Sequence, residues 1–263
     1  MPLFVLDRVN CGYLPHQPVF EGLSLEIREG EKICILGANG SGKSTLLKLL
    51  CGLLFPSGGS FRAFGREINE RYLEQEAAAK EYHRRVGFVF QNSEVQLFNT
   101  RVWDEIAFGP RQLGLGEEAV RRRVEDVMGM LGLCHLRERS PYRLSGGEKK
   151  KVAVASVLVL NPRVLVLDEP TSGLDPKTQG WLLELLLALH RQGRTIITAT
   201  HDLRLAHAIS DRAVVLSEQH RVVYDGPSGE ALNDRELLLA VNLIGEYQHQ
   251  HGGEEHVHRQ LHG

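Results

Sequence analysis

Lys32-Ile33-Cys34-Ile35-Leu36-Gly37-Ala38-Asn39-Gly40-Ser41-Gly42-Lys43-Ser44-Thr45 is the stretch that decides the fold of this chain. It opens as a compact apolar strand, runs into a glycine-rich turn, and takes on helical character from Ser44 to Leu54. The turn has the form Gly, four residues, then Gly-Lys-Ser/Thr, in which glycines let backbone N–H groups wrap a polyphosphate. Lys43 is expected to reach the β and γ phosphates, and Ser44 to bind Mg²⁺. A chance match in a chain of 263 residues is at the level of about one per cent, and the flanking strand and helix lower it further.

Outward from this stretch the pattern is that of strands and helices in one α/β domain. Residues 3–27 alternate apolar and polar, as in Leu23-Ser24-Leu25-Glu26-Ile27, and are broken by Gly12, Pro15 and Gly22, which predicts a small antiparallel β-layer. Residues 69–85 are rich in Glu, Ala, Lys and Arg and predict one exposed helix, followed by a buried strand at Val86–Phe90. From Gln91 to Lys151 helical segments dominate, including Glu117–Leu131 with apolar positions at Val120, Val124, Val127 and Leu131. Short apolar strands follow at Val164–Leu167, Thr195–Thr198 and Ala213–Leu216, with helices at Lys177–Arg191 and Leu203–Ile209 between them. Buried strands alternating with helices imply a mainly parallel sheet covered on both faces. The expected organisation is a core of residues 1–90 and 152–245, a helical subdomain at 91–151, and a tail from 246 to 263.

Composition narrows the class. Apolar residues at 42% and charged residues at 24% are ordinary for a globular domain, which excludes wholesale disorder, collagen and a coiled-coil rod. The formal net charge of −2 lacks the basic excess of a dedicated nucleic-acid binder, so no nucleic-acid partner is expected. Cys11, Cys34, Cys51 and Cys134 contain no C-x-x-C pair and spell neither a zinc knuckle nor a redox dithiol. No apolar run approaches the roughly 18 to 20 residues that span a bilayer, so a membrane role is expected to go through a partner.

Two further motifs carry chemistry. Val164-Leu165-Val166-Leu167-Asp168-Glu169 is an apolar strand ending in two carboxylates, at the sheet edge where α/β ligands bind. Asp168 suits Mg²⁺, and Glu169 suits orienting and deprotonating an attacking water, although either could simply cap the following turn. Leu144-Ser145-Gly146-Gly147-Glu148 puts a serine hydroxyl and glycine amides at a helix N-terminus, a natural anion site. Read as structure, the same residues form a capping box from Ser145 to Glu148. A second phosphate site beside a complete phosphate loop points to the nucleotide of another copy of the chain.

With these residues in view the sequence resembles the ATPase subunit of ABC transporters over residues 3–245. Gln91 after a strand, Ser172-Gly173-Leu174-Asp175 after the acids, and Thr200-His201-Asp202 after a later strand stand in the family's order. The resemblance implies a P-loop NTPase fold of ABC type: an α/β core with a mainly parallel sheet, an N-terminal antiparallel β-layer and a helical insert. It implies an ATP hydrolase using ATP and Mg²⁺, with Gly37, Asn39, Gly40, Ser41, Gly42, Lys43, Ser44 and Thr45 on the nucleotide. Tyr13 would stack on adenine, Gln91 would sense Mg²⁺ and water, and His201 would hold the γ-phosphate beside Glu169. Ser145, Gly146, Gly147 and Asp175 would serve the ATP of a second copy in a head-to-tail homodimer. Plainer roles stay open for Tyr13 as a core aromatic, Gln91 as a turn residue, and His201 as a helix N-terminal residue.

Val89 to Phe98 and Asp104 to Pro110 resemble the energy-coupling factor branch, which imports cobalt, nickel and vitamins. That implies an integral membrane coupling subunit and a substrate-capture subunit, with the chain peripheral on the cytoplasmic face of the cell membrane. Leu97, Phe98 and Trp103 could line the groove that receives the coupling subunit, or be core of the helical insert. Glu148-Lys149-Lys150-Lys151 favours the metal-ion side of the branch, and His249, His251, His256, His258 and His262 add imidazoles suited to Ni²⁺ or Co²⁺, although their spacing fits no single closed site and a solvated tail stays open. A vitamin importer is the second expectation, and another ABC branch the third. A chromosome-maintenance ATPase would need long heptads between the phosphate loop and the Ser145 motif, and none intervene.

Overall fold

The computed structural model describes residues 2–14, 17–251 and 254–261, with 246–251 and 254–261 described as backbone only. The chain divides into two compact units, residues 1–69 with 197–263, and residues 70–196.

The first unit carries the expected β-layer. Phe20–Arg28, Pro2–Cys11, Gly58–Ala63 and Arg66–Glu67 pair in that order, all antiparallel. Alternation decides which faces are buried: Leu23, Leu25 and Ile27 point inward while Ser24 and Glu26 face water. Phe4 stacks on Phe61 at 6.1 Å between ring centroids, so the layer has an aromatic core of its own.

In the same unit Lys32–Leu36 runs parallel to Arg212–Leu216, with Val222–Pro227 antiparallel beyond Arg212–Leu216, and the other neighbour of Lys32–Leu36 is Thr195–Thr200, a strand whose residues from Ile197 onward belong to this unit. Cys34, Leu36, Ala213 and Val215 form one face of the buried cluster, completed by Ala206, Ala231 and Leu238 from the helices Leu203–Ile209, Ser228–Asn233 and Arg235–Ala240. Burying these apolar faces is the main stabilising term, at about 25 cal/mol per Å². Arg212 links layer and sheet by donating to both Asp225 carboxylate oxygens at 2.6 and 2.8 Å and to the Glu26 carbonyl at 2.9 Å.

The helix after the phosphate loop is Lys43–Leu50, shorter than the expected run to Leu54, because Gly52 at φ 66° turns the chain out of the helix. The backbone of the tail forms an antiparallel ribbon of Ile244–His251 with Glu254–Leu261. The side chains of His249, His251, His256 and His258, and all of His262, lie outside the described residues.

The second unit pairs Val86–Val89 in parallel with Val164–Asp168 and is otherwise helical. The single helix expected over 69–85 is two, Glu70–Leu73 and Glu76–Arg85, and only the second has a buried residue, Tyr82. A four-residue segment without a buried face has little to hold it in line with its neighbour. Glu117–Leu131 forms as its spacing predicts, burying Val120, Val124, Val127, Met128 and Leu131. Gly146–Leu158 is the central helix, packed by Val102–Gln112, Glu117–Leu131, Ser93–Gln96 and the strand Val86–Val89. Among the described residues no helix is long and apolar enough to cross a membrane.

Candidate functional site

In the first unit the phosphate loop is tightly closed on itself. Gly40 and Gly42 have φ of 85° and 101°, where a side chain would be strained. A Cβ on Gly42 would also meet Phe20 Cζ at 2.8 Å. Lys43 is buried at the head of its helix, and its ammonium donates to the carbonyls of Gly37 at 2.8 Å and Ala38 at 3.2 Å. Ser41 Oγ is buried without a hydrogen-bond partner, a polar atom the loop itself does not satisfy. A cation, a hydroxyl with open bonding capacity and a helix N-terminus together suit a phosphate chain.

Tyr13 is not a core aromatic. Its ring is 55% exposed, and its hydroxyl lies 3.4 Å from Thr45 Oγ1 and 3.2 Å from Lys48 Nζ, with the Lys48 ammonium 5.0 Å over the ring. The ring is thus anchored at its polar end to the phosphate-loop helix, with apolar surface open to a flat ligand. His201 follows the strand Thr195–Thr200, neighbour of Lys32–Leu36, and precedes the helix capped by Asp202, whose carboxylate accepts from the amides of Arg204 and Leu205.

In the second unit Asp168 ends a strand buried along its whole length, and Asp168 and Glu169 are both buried. Glu169 has φ 39°, a left-handed conformation uncommon for a non-glycine residue and of a kind concentrated at functional sites. Metal and base chemistry suit two carboxylates of which one continues the strand and the other is turned out of its line.

Ser145 is the exposed N-cap of Gly146–Leu158. Its hydroxyl accepts from the Glu148 amide at 3.3 Å while Glu148 accepts from the Ser145 amide at 2.8 Å. The capping box is therefore real, and the Ser145 bonds hold the Glu148 carboxyl below its ordinary range. Gly147 abuts the capped start of the helix Pro176–Arg191: a Cβ there would lie 2.6 Å from Thr178 Oγ1 and 3.5 Å from Asp175 Oδ2. Asp175 caps Pro176–Arg191, accepting from the Thr178 hydroxyl at 2.7 Å and amide at 3.0 Å, which lowers its carboxyl pKa. Ser145, Gly146 and Asp175 are all exposed on this unit.

Gln91 follows the strand Val86–Val89 and lines a cavity of about 320 Å³ with Glu94, Gly146, Lys149, Lys150 and Ser172–Leu174. Leu97 is buried, so it belongs to the core rather than to a groove wall. Phe98 and Phe108 are exposed and meet edge to face at 4.9 Å, with Val95 73% exposed nearby in sequence. Trp103 is half-buried, with the Arg137 guanidinium 3.8 Å over its ring.

Lys150, read in the sequence only as part of the run Glu148-Lys149-Lys150-Lys151, has a buried position that motif reading misses. It is 2% exposed, and burial pulls its ammonium down to about 8, against the Asp168 carboxylate, which pulls it up. Helical spacing could have found it, because Lys150, Val154 and Val157 share one buried stripe.

The family model described as ABC transporter matches residues 20–172. NikO of Rhodobacter capsulatus, named a nickel import ATP-binding protein, is 49% identical over 246 residues, 92% of this chain and 96% of that protein. The structure of CbiO1 from Clostridium perfringens, described as part of the ABC transporter complex CbiONQ, is 34% identical with a TM-score of 0.77, covering 92% of this chain and 95% of that one. A dimeric ATP-binding cassette in a post-hydrolysis state, bound to ADP and Pi, is 27% identical with a TM-score of 0.76, over 86% of this chain and 99% of the other.

Proposed function

Since this chain belongs to the ABC transporter family, as one of its ATP-hydrolysing ATP-binding chains with the ABC form of the P-loop fold, we propose that it powers import of cobalt or nickel through a transporter of the energy-coupling factor type. The observation that carries the ATP chemistry is the closed loop around Lys43, with its buried Ser41 hydroxyl and positive-φ glycines. The metal-ion reading draws on the 49% identity to a protein named for nickel import and on the Gln91 to Pro110 stretch. It places the chain as a peripheral protein on the cytoplasmic face of the membrane, with an integral coupling subunit and a substrate-capture subunit as partners.

In this reading two copies close head to tail on two ATP molecules. Lys43 and the amides of Gly40, Ser41 and Gly42 bind the phosphates of one nucleotide, Tyr13 takes its adenine, and Asn39 and Thr45 complete the loop. Ser145, Gly146 and Gly147 of the other copy supply a helix N-terminus to the same γ-phosphate, with Asp175 joining the two sites. Ser44, Asp168 and Gln91 are the residues that would hold Mg²⁺, which when bound neutralises charge on the phosphates. Glu169 accepts a proton from the attacking water as its oxygen bonds to phosphorus and the bond to the departing ADP oxygen breaks, while His201 holds the γ-phosphate in line. ATP binding to the closed dimer does the work, and hydrolysis resets it.

Purification of the Glu169→Gln chain with ATP from detergent-solubilised membranes tests the transport assignment. A coupling subunit with a metal-type capture subunit supports it. A vitamin-type capture subunit, permeases of another branch, or no membrane partner overturn the metal reading and leave the ATPase standing. Deleting residues 249–263 lowers Ni²⁺ or Co²⁺ binding without changing ATP hydrolysis, and equal metal binding before and after truncation would reduce the tail to a solvated extension.

A further inference from the structure

The segment after Gln91 is tied at both ends to the helix that Ser145 caps. At one end Lys150 Nζ donates to the carbonyls of Phe90 at 3.1 Å and Gln91 at 3.0 Å. At the other, Gln96 Nε2 donates to the Ala153 carbonyl at 2.8 Å and Ser156 Oγ at 3.1 Å, while Gln96 Oε1 accepts from the Phe90 amide at 3.2 Å. Between them Glu94 pairs with Lys149. That pair is half open to water and worth little, so the buried Lys150 bonds are the strong members of the set.

Burying an ammonium is unfavourable, and at this position on the apolar stripe a methionine would pack without that cost. The geometry of Lys150 is nevertheless fully directed, with a four-carbon stem delivering its charge to two consecutive carbonyls about 60 residues away in sequence. Lys150 lies five residues beyond Ser145, about 7.5 Å along the helix axis. Whatever displaces the backbone at Gln91 therefore pulls on the helix that presents Ser145.

We propose that Lys150 is a positioning residue that tethers the Gln91 backbone to the Ser145 helix, so that the segment 90–96 and this helix move as one body. The proposal deepens the reading of Gln91 and Ser145 as nucleotide-site residues and rests on it. In that reading one rigid link joins the segment resembling a docking site for the membrane subunit to the helix end that serves the partner copy's nucleotide.

Hydrogen exchange followed by mass spectrometry on the full-length chain without nucleotide tests the tether directly, because exchange reports local opening. In Lys150→Met, peptides covering 90–97 exchange at least about tenfold faster, while Glu117–Leu131 is unchanged. Lys150→Arg restores protection. ATP hydrolysis by Lys150→Met falls in kcat with little change in KM, because the residue acts through Gln91 and not on the nucleotide. Where Lys150→Met opens Glu117–Leu131 as well, its fold is lost and Lys150→Leu, which likewise carries no donor, is read by the same criterion. Exchange at 90–97 within twofold of wild type in the folded variant overturns the tether. A wild-type chain that binds no ATP overturns the functional reading instead, and leaves the exchange result to stand on its own.

Discussion

Lys43 Nζ lies 2.8 Å from the carbonyl oxygen of Gly37, so the ammonium at the head of the helix closes the loop from which the helix emerges. One side chain therefore sets the loop's shape and carries its charge.

Lys43→Ala removes the cation from the loop while keeping a good helix former. Hydrogen bonds to charged groups contribute about 1.5–3 kcal/mol, so ATP affinity is expected to fall roughly 10- to 100-fold. Titration calorimetry checks it, and unchanged affinity would count against Lys43 as a phosphate ligand.

Glu169→Gln keeps the size and shape of a buried residue held at φ 39° but replaces one basic oxygen with an NH₂ donor. Turnover should drop at least about 100-fold with ATP binding retained, since general-base catalysis contributes on the order of 10²–10⁴. Wild-type turnover in this variant would remove Glu169 as the base.

Gly87 sits where the strand Val86–Val89 touches the central helix, and a Cβ there would be 2.3 Å from Val157 Cγ1 and 3.1 Å from Pro162 Cγ. Gly87→Ala overpacks this contact and is expected to lower stability by about 1–3 kcal/mol. Denaturant unfolding measures the loss, and a variant within 0.5 kcal/mol of wild type, on the order of a neutral surface change, would show that the helix shifts freely.

Burial pushes the Cys11 thiol up to about 11, and Cys34 and Cys51 are buried as well, whereas Cys134 is exposed. Alkylation of the native chain at pH 8 should therefore modify Cys134 first, because the thiolate is the reactive form and burial suppresses it. The raised folded pKa means that the unfolded chain releases the Cys11 proton first, so this residue's contribution falls as pH rises from about 9 towards 11. Peptide mapping that finds Cys11 labelled as fast as Cys134 would refute its burial.

The phosphate loop, the helix Glu117–Leu131 and the capping box at Ser145 were all legible from local patterns. Each is a short-range arrangement in which the residue type itself supplies the geometry: glycine for positive φ, serine for helix amides, apolar spacing for a buried stripe. The break between Leu73 and Glu76 was not legible, since no glycine or proline marks it and it reflects what the helix had to pack against.

Sequence order and residue chemistry were enough to say that the chain cradles a polyphosphate and carries two acids at a strand end. They could not say that Leu97 turns into the core while Phe98 stays at the surface, or that the middle lysine of Lys149-Lys150-Lys151 is buried against the carbonyls of Phe90 and Gln91. The Lys150 outcome depends on partners about 60 residues apart, brought together when the central helix packs beside the strand Val86–Val89. A local motif carries its own hydrogen-bond partners with it, whereas a buried charge finds its partners only after the chain has folded around it.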